Sequence, residues 1–184
     1  MLSNPKPCLA ARPNLLRGCT AGLVLALAAC STRPQPAPRP LTVLPSAIAS
    51  LTPALYMQLA SNAALFAVRA SELAEQRSQD NRVRSEARAI AADQRGVGSQ
   101  LSFAGRRLDL QPRADLPDGM EADLAGLAQS GNFDRDYRRL VGQALARALE
   151  AHEVFARAGS SATLRPVAEM AAPVTRRNLD AVRR

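Results

Sequence analysis

From Thr52 onward, apolar residues recur at steps of three and four in four separate long segments. Such steps keep side chains on one face of an α-helix and nowhere else in the regular structures. Thr52-Pro53 has the form of an N-cap followed by proline at the first helical position. The stripe behind it is Leu55, Leu59, Asn62, Phe66, Ala70 and Leu73. Asp80 caps a second predicted helix, with a stripe of Val83, Ala87, Ile90, Gln94, Val97, Leu101, Ala104 and Leu108. Gly96 and Gly98 weaken its middle by up to ~1 kcal/mol each relative to alanine, which close approach of a neighbouring helix would explain. A loop with Pro112, Pro117 and Asp118-Gly119 follows, then a short helix from Met120 to Ser130 stopped by Gly131. Asn132 opens the third long helix, striped by Phe133, Tyr137, Leu140, Val141, Ala144, Ala148 and Phe155 and ended by Gly159. The last carries Leu164, Val167, Ala171, Val174, Asn178 and Ala181. Pro166 fits its first turn, whereas Pro173 lies inside and predicts a kink.

Four long helices with short connections and one longer crossing predict an all-α, antiparallel four-helix bundle over residues 51–184, with a short extra helix in the middle crossover. Alanine and leucine dominate, only 3% of the 184 residues are aromatic and tryptophan is absent. That composition suits close helix packing rather than a sheet. Asp80–Arg84, Asp134–Arg138 and Glu153–Arg157 place acid four residues before base, a spacing worth ~0.3 kcal/mol per pair on an exposed helix face.

Upstream of the bundle the chain changes character twice. Residues 1–29 combine Lys6, Arg12 and Arg17 with the apolar run Ala21–Ala29, the pattern of a secretory signal. The run is far short of the ~20 residues needed to span a bilayer. Leu27-Ala28-Ala29-Cys30 resembles a bacterial lipobox, which implies lipid transfer to the Cys30 thiol, cleavage before it and acylation of the new amino group. Several buried acyl chains, at ~0.8 kcal/mol per CH₂, anchor firmly. Ser31, in place of an aspartate, directs the expectation to the outer rather than the inner membrane, with the domain facing the periplasm. Residues 30–50 contain Pro34, Pro36, Pro38, Pro40 and Pro45 and read as an extended tether. Cys8 and Cys19 leave with the signal, so no internal disulfide is expected. The spacing of Cys8, Cys19 and Cys30 fits no zinc pattern.

The net charge is +8, of which Lys6, Arg12 and Arg17 contribute three. The arginines of the remaining chain offer a basic face for an anionic envelope polymer or a protein partner. No cluster favours nucleic acid. One histidine and no other retained thiol leave little for nucleophilic catalysis, and no Gly-rich phosphate loop follows a strand.

Two blocks resemble the bacterial ferritin-like family called domain of unknown function 4142. The first is Tyr56–Leu110, with Ser71-Glu72-Leu73-Ala74 and Val83-Arg84-Ser85-Glu86-Ala87-Arg88. The second is Leu124–Ala181, where Ser130-Gly131-Asn132-Phe133-Asp134-Arg135-Asp136-Tyr137 is similar to the family's Ser-Gly-x-x-Phe-Asp-x-x-Tyr. The resemblance implies a ferritin-like bundle in the bacterial envelope and no established activity. Ferritin-like bundles that do metal chemistry use inward Glu and Glu-x-x-His groups. The resemblance places the family's frequent glutamate at Ala67 and its three histidines at Gln94, Leu145 and Asn178, none a usual ligand for a first-row metal. No metal or other cofactor is therefore expected. His152, the sole histidine, falls near the end of the third helix and is expected at the surface or its boundary, where a cation suits the helix dipole. Asp134 and Tyr137 are expected to cap and pack that helix.

Gln94 and Asn178 interrupt apolar stripes. They are expected to form a buried hydrogen-bonded pair or to sit at the polar rim of the bundle, or else to line a small polar pocket for a ligand. The expectation is a non-enzymatic, lipid-anchored structural or binding module. The alternatives are a ferritin-like metal-binding or stress-related enzyme and a small-ligand or lipid carrier.

Overall fold

The computed structural model describes residues 51–184, which contain five helices. The predicted signal (1–29), Cys30 and the tether to residue 50 lie outside the described residues. Helix α1, Pro53–Arg77, starts where Thr52 Oγ1 accepts from the Leu55 N–H at 3.2 Å. Helix α2, Asn81–Arg106, starts where Asp80 Oδ1 accepts from the Arg82 N–H at 2.7 Å. Each cap satisfies one backbone donor that the first turn leaves open. At the end of α2, Asp109 adopts a left-handed backbone with φ 56°, and the Leu110 N–H returns to Gly105 O at 2.9 Å. A Cβ at Gly105 would lie 2.5 Å from Leu110 O, so this turn admits only glycine.

The short helix α3, Asp118–Gln129, occupies the crossover. Helix α4, Phe133–Ala158, follows Asn132, but the asparagine side chain makes no capping bond. Ser130 instead ties the incoming chain to the helix: its Oγ accepts from the Asn132 N–H at 3.0 Å and donates to Asp136 at 2.7 Å. Helix α5, Arg165–Arg183, runs on through Pro173, whose ring is exposed.

The direction of each helix follows from its cross-links. Tyr56 meets His152 and Ser71 meets Tyr137, so α1 and α4 are antiparallel. Glu72–Arg95 and Glu75–Arg88 set α2 antiparallel to α1. Glu153–Arg176, with the close approach of Gly142 to Val182, sets α5 antiparallel to α4. The ring closes where α2 packs on α5. The diagonal pairs α1/α5 and α2/α4 are therefore parallel, and the connection from α2 to α4 must travel the length of the bundle. One long crossover is the ferritin-like arrangement. Helix α3 rides on that crossover against α1 and α4, held by Arg69–Glu121 and by Arg77 on the Ala128 carbonyl.

The core falls into two clusters along the axis. One gathers Phe66, Ile90, Leu127, Tyr137 and Leu145. The other gathers Tyr56, Leu101, Phe155 and Leu164 at the end where α1 begins. Alanines at 60, 63, 64, 67, 70 and 74 line the buried side of α1, allowing its neighbours to approach closely. Both clusters and all the described interhelical bonds lie inside the unit Thr42–Arg184, so this unit carries its own core, the property of a domain that can fold alone.

The stripes of α2 and α4 are buried as expected from Val83 to Ala104 and from Phe133 to Phe155. The stripe of α1 is buried as expected at Asn62, Phe66 and Ala70 but not in its first two turns. Leu55 and Leu59 are 40% and 43% exposed, while Tyr56, Met57 and Ala60 face inward. Helix α1 touches three other helices, and its broad alanine face outweighs two leucines. No helix lies against Gly96 or Gly98: a Cβ at either would meet nothing within 4 Å. The expected i, i+4 ion pairs give way to other partners. Arg84 donates to Ser78 O at 2.7 Å, Arg138 reaches Glu86 at 3.8 Å across to α2, and Glu153 pairs with Arg176 of α5. These exposed pairs set register more than stability, at ~0–1 kcal/mol each.

Candidate functional site

Three groups of polar side chains penetrate the bundle. The first joins α1 to α4 at the end where α1 begins. Tyr56 is fully buried and His152 is 1% exposed, and Tyr56 Oη lies 3.0 Å from His152 Nδ1. Phe155 stacks on the Tyr56 ring at 4.1 Å between centroids. Burial lowers the His152 pKa from 6.5 to about 4 and raises that of Tyr56, because an apolar surround disfavours the charged form of each. At neutral pH the imidazole is uncharged. With its proton assigned to Nε2, it accepts the phenolic hydrogen at Nδ1. This corrects the expectation of a surface histidine. His152 stands four residues after Ala148 and three before Phe155, so it continues the buried stripe of α4; that spacing is legible in the sequence.

The second group is Ser71 and Tyr137, whose hydroxyls meet at 3.0 Å between α1 and α4. Burial lifts the Tyr137 pKa to about 12. Tyr137 thus packs and pins α4, as its position on the stripe predicts. Asp134 sits in the first turn of α4, where a carboxylate suits the helix dipole. Its Oδ1 has no hydrogen-bond partner. Neither rung offers a paired nucleophile and base.

The third group occupies the middle. Gln94 is 1% and Asn178 4% exposed. The residues just before them, Asp93 and Arg177, meet at 3.7 Å across α2 and α5, so both amides stand at the same level on adjacent helices. They do not pair: Gln94 Nε2 and Asn178 Nδ2 both lack a hydrogen-bond partner, as does Thr175 Oγ1 one turn from Asn178. A buried donor left this way costs ~1–3 kcal/mol.

Ala67 and Leu145, at two more of the positions where the resemblance places the family's glutamate and histidines, are fully buried. A methyl and an isobutyl group have no donor atom. The two amide nitrogens carry hydrogens and cannot ligate a cation, and the neutral amide oxygens are weak ligands for a first-row metal beside carboxylate and imidazole. His152 lies seven residues beyond Leu145, about 10 Å along the helix axis, with Nδ1 engaged by Tyr56. Among the described residues, no three His, Cys, Asp or Glu side chains converge as a metal site. The side chains at these four positions do not fit the iron or manganese centre of metal-bearing ferritin-like bundles.

Buried as it is, Gln94 also borders the molecular surface. It forms part of an open groove of about 580 Å³ between α1, α2 and the crossover loop. Ala64, Leu65 and Val68 give the groove an apolar wall, and Arg106 and Arg113 stand at its edge. Asn178 is not among its lining residues, so the two amides expected to share a pocket do not share this one. The groove's third wall, Pro112, Arg113 and Ala114, comes from a loop with no periodicity, so the helical stripes do not announce it.

No helix among the described residues is long and apolar enough to cross a membrane. Comparison with curated proteins and with solved structures returns no match. Residues 40–184 match the family model described as "Domain of unknown function (DUF4142)", and the chain belongs to that family.

Proposed function

We propose that this protein is a non-enzymatic binding module of the bacterial envelope, anchored by lipid on Cys30 and facing the periplasm. The observation that carries the non-enzymatic part is the chemistry at the centre of the bundle. Ala67, Gln94, Leu145 and Asn178 stand buried, at the positions where the resemblance places the family's frequent glutamate and three histidines. The two tyrosines are each tied to one partner, His152 or Ser71, and are held protonated by burial. The anchoring part rests on Leu27-Ala28-Ala29-Cys30 and on the proline-rich stretch that follows it. Serine after the cysteine favours the outer membrane.

Two measurements test this. Fractionation of a Gram-negative host expressing the full chain should place it in the outer membrane, with Cys30→Ser released or left uncleaved. Normal anchoring of that variant would remove the lipid assignment. Native mass spectrometry of the detergent-extracted protein should reveal a bound small molecule or polymer fragment. A ferritin-like metal enzyme is the competing assignment, and stoichiometric iron, manganese or zinc would establish it.

A further inference from the structure

We propose that the groove between α1, α2 and the crossover loop is a binding site for a small organic anion with an apolar body. This deepens the binding-module assignment and rests on it. Four observations converge. Gln94 is 1% exposed, lines the groove, and its Nε2 donor has no partner in the protein. Such a donor recovers its lost hydrogen bond if a ligand oxygen reaches it. Second, the charged side chains lining the groove are Arg95, Arg106 and Arg113, with no aspartate or glutamate among the lining. Arg95 is neutralised by Glu72 at 2.6 Å. Arg106 and Arg113 enter no ion pair among the described residues. Guanidinium groups in this position offer the forked donors that match a carboxylate or phosphate.

Third, Ala64, Leu65 and Val68 present hydrocarbon beside those donors, which selects an anion carrying an apolar segment over a bare ion. Fourth, Gly98 lines the groove, and a Cβ built there meets nothing within 4 Å. Glycine in mid-helix weakens α2 with no packing reason for it, and its missing side chain leaves the groove open. Carboxylate and phosphate monoester share the recognising chemistry, so the two are separated by experiment.

The test uses residues 42–184, the unit that carries its own core, in isothermal titration at low and moderate salt. The probes are octanoate, octyl phosphate, octanol and inorganic phosphate. Saturable binding of octanoate or octyl phosphate, weakened by salt and at least tenfold stronger than that of octanol or inorganic phosphate, supports the site. The stronger of the two identifies the headgroup. Gln94→Leu and the double variant Arg106→Ala/Arg113→Ala should each weaken binding about tenfold. Gly98→Leu should abolish it while the melting temperature holds or rises, which separates occlusion from unfolding. Binding that Gly98→Leu leaves intact, binding of octanol as tight as octanoate, or no binding by either anion overturns the site. None of those results touches the wider binding-module assignment, which falls on stoichiometric metal in the full-length protein.

Discussion

Tyr56 Oη and His152 Nδ1 meet across 3.0 Å, joining the first turn of α1 to the last turns of α4 in a fully buried contact. Two polar side chains from opposite ends of the domain sequence thereby fix which residues of the two helices lie opposite. The rung costs nothing in unsatisfied groups as long as the imidazole is neutral.

Acid should therefore weaken the fold through His152. Its pKa is depressed in the native state to about 4 against an ordinary 6.5, so the unfolded chain binds the proton first. The contribution is fully present above pH 6.5, declines as the pH falls toward 4, and is gone below that. Its full size is about 3 kcal/mol. Urea unfolding of residues 42–184 from pH 7.5 to 3.5 checks this against His152→Gln, whose stability should depend less on pH over that window. Identical slopes would show that the ring does not titrate as a buried group.

Breaking the rung from the other side isolates the hydrogen bond. Tyr56→Phe keeps the ring stacked on Phe155 but leaves His152 Nδ1 unpartnered, at a loss of about 1–3 kcal/mol. A loss well below 1 kcal/mol in chemical denaturation would mean that water reaches the imidazole.

The two glycines of α2 that differ most in surroundings should respond with opposite sign. Gly98→Ala meets open space and should stabilise by about 1 kcal/mol through helix propensity. Gly105→Ala puts a methyl 2.5 Å from the Leu110 carbonyl and should lower the melting point or prevent folding. Thermal unfolding followed by circular dichroism reads both.

The face of α1 can be checked in the same way. Leu59→Ser lies on an exposed position and should change stability by less than about 0.5 kcal/mol. Ala87→Pro, in the fully buried stripe of α2, removes a helix bond and clashes with the preceding turn at ~3 kcal/mol or more. A neutral proline there, or a severe loss from the serine, would show that the helices are rotated from the positions described.

Much of this fold is visible in the sequence where large apolar residues carry the period. Val83 to Leu101 and Phe133 to Phe155 announce α2 and α4 with their buried faces, and Thr52 and Asp80 mark the starts of α1 and α2. The face of α1 is harder to see because alanine packs it, and alanine is nearly neutral between inside and outside. Leu55 and Leu59 therefore draw attention that belongs to Ala60, Ala63 and Ala67. Partner choice is also hidden: Arg138 and Glu153 each have a local carboxylate or guanidinium at helical spacing, yet both reach to another helix. Gln94 and Asn178 stand out as amides on apolar stripes, and both are buried. That their nitrogens lack partners, and that Gln94 looks into a groove edged by Arg106 and Arg113, depends on where the loop after Leu110 runs, which no periodicity encodes.

The middle of this bundle presents amides and hydrocarbon in place of carboxylates and imidazoles. The decisive measurement is elemental analysis of the full-length protein, extracted from its membrane in mild detergent without chelator. Iron, manganese and zinc should stand far below one atom per chain, unchanged in a Gln94→Leu/Asn178→Leu variant that folds at least as stably as the parent. One or more metal atoms per chain, lost in that variant, would contradict a centre without metal ligands.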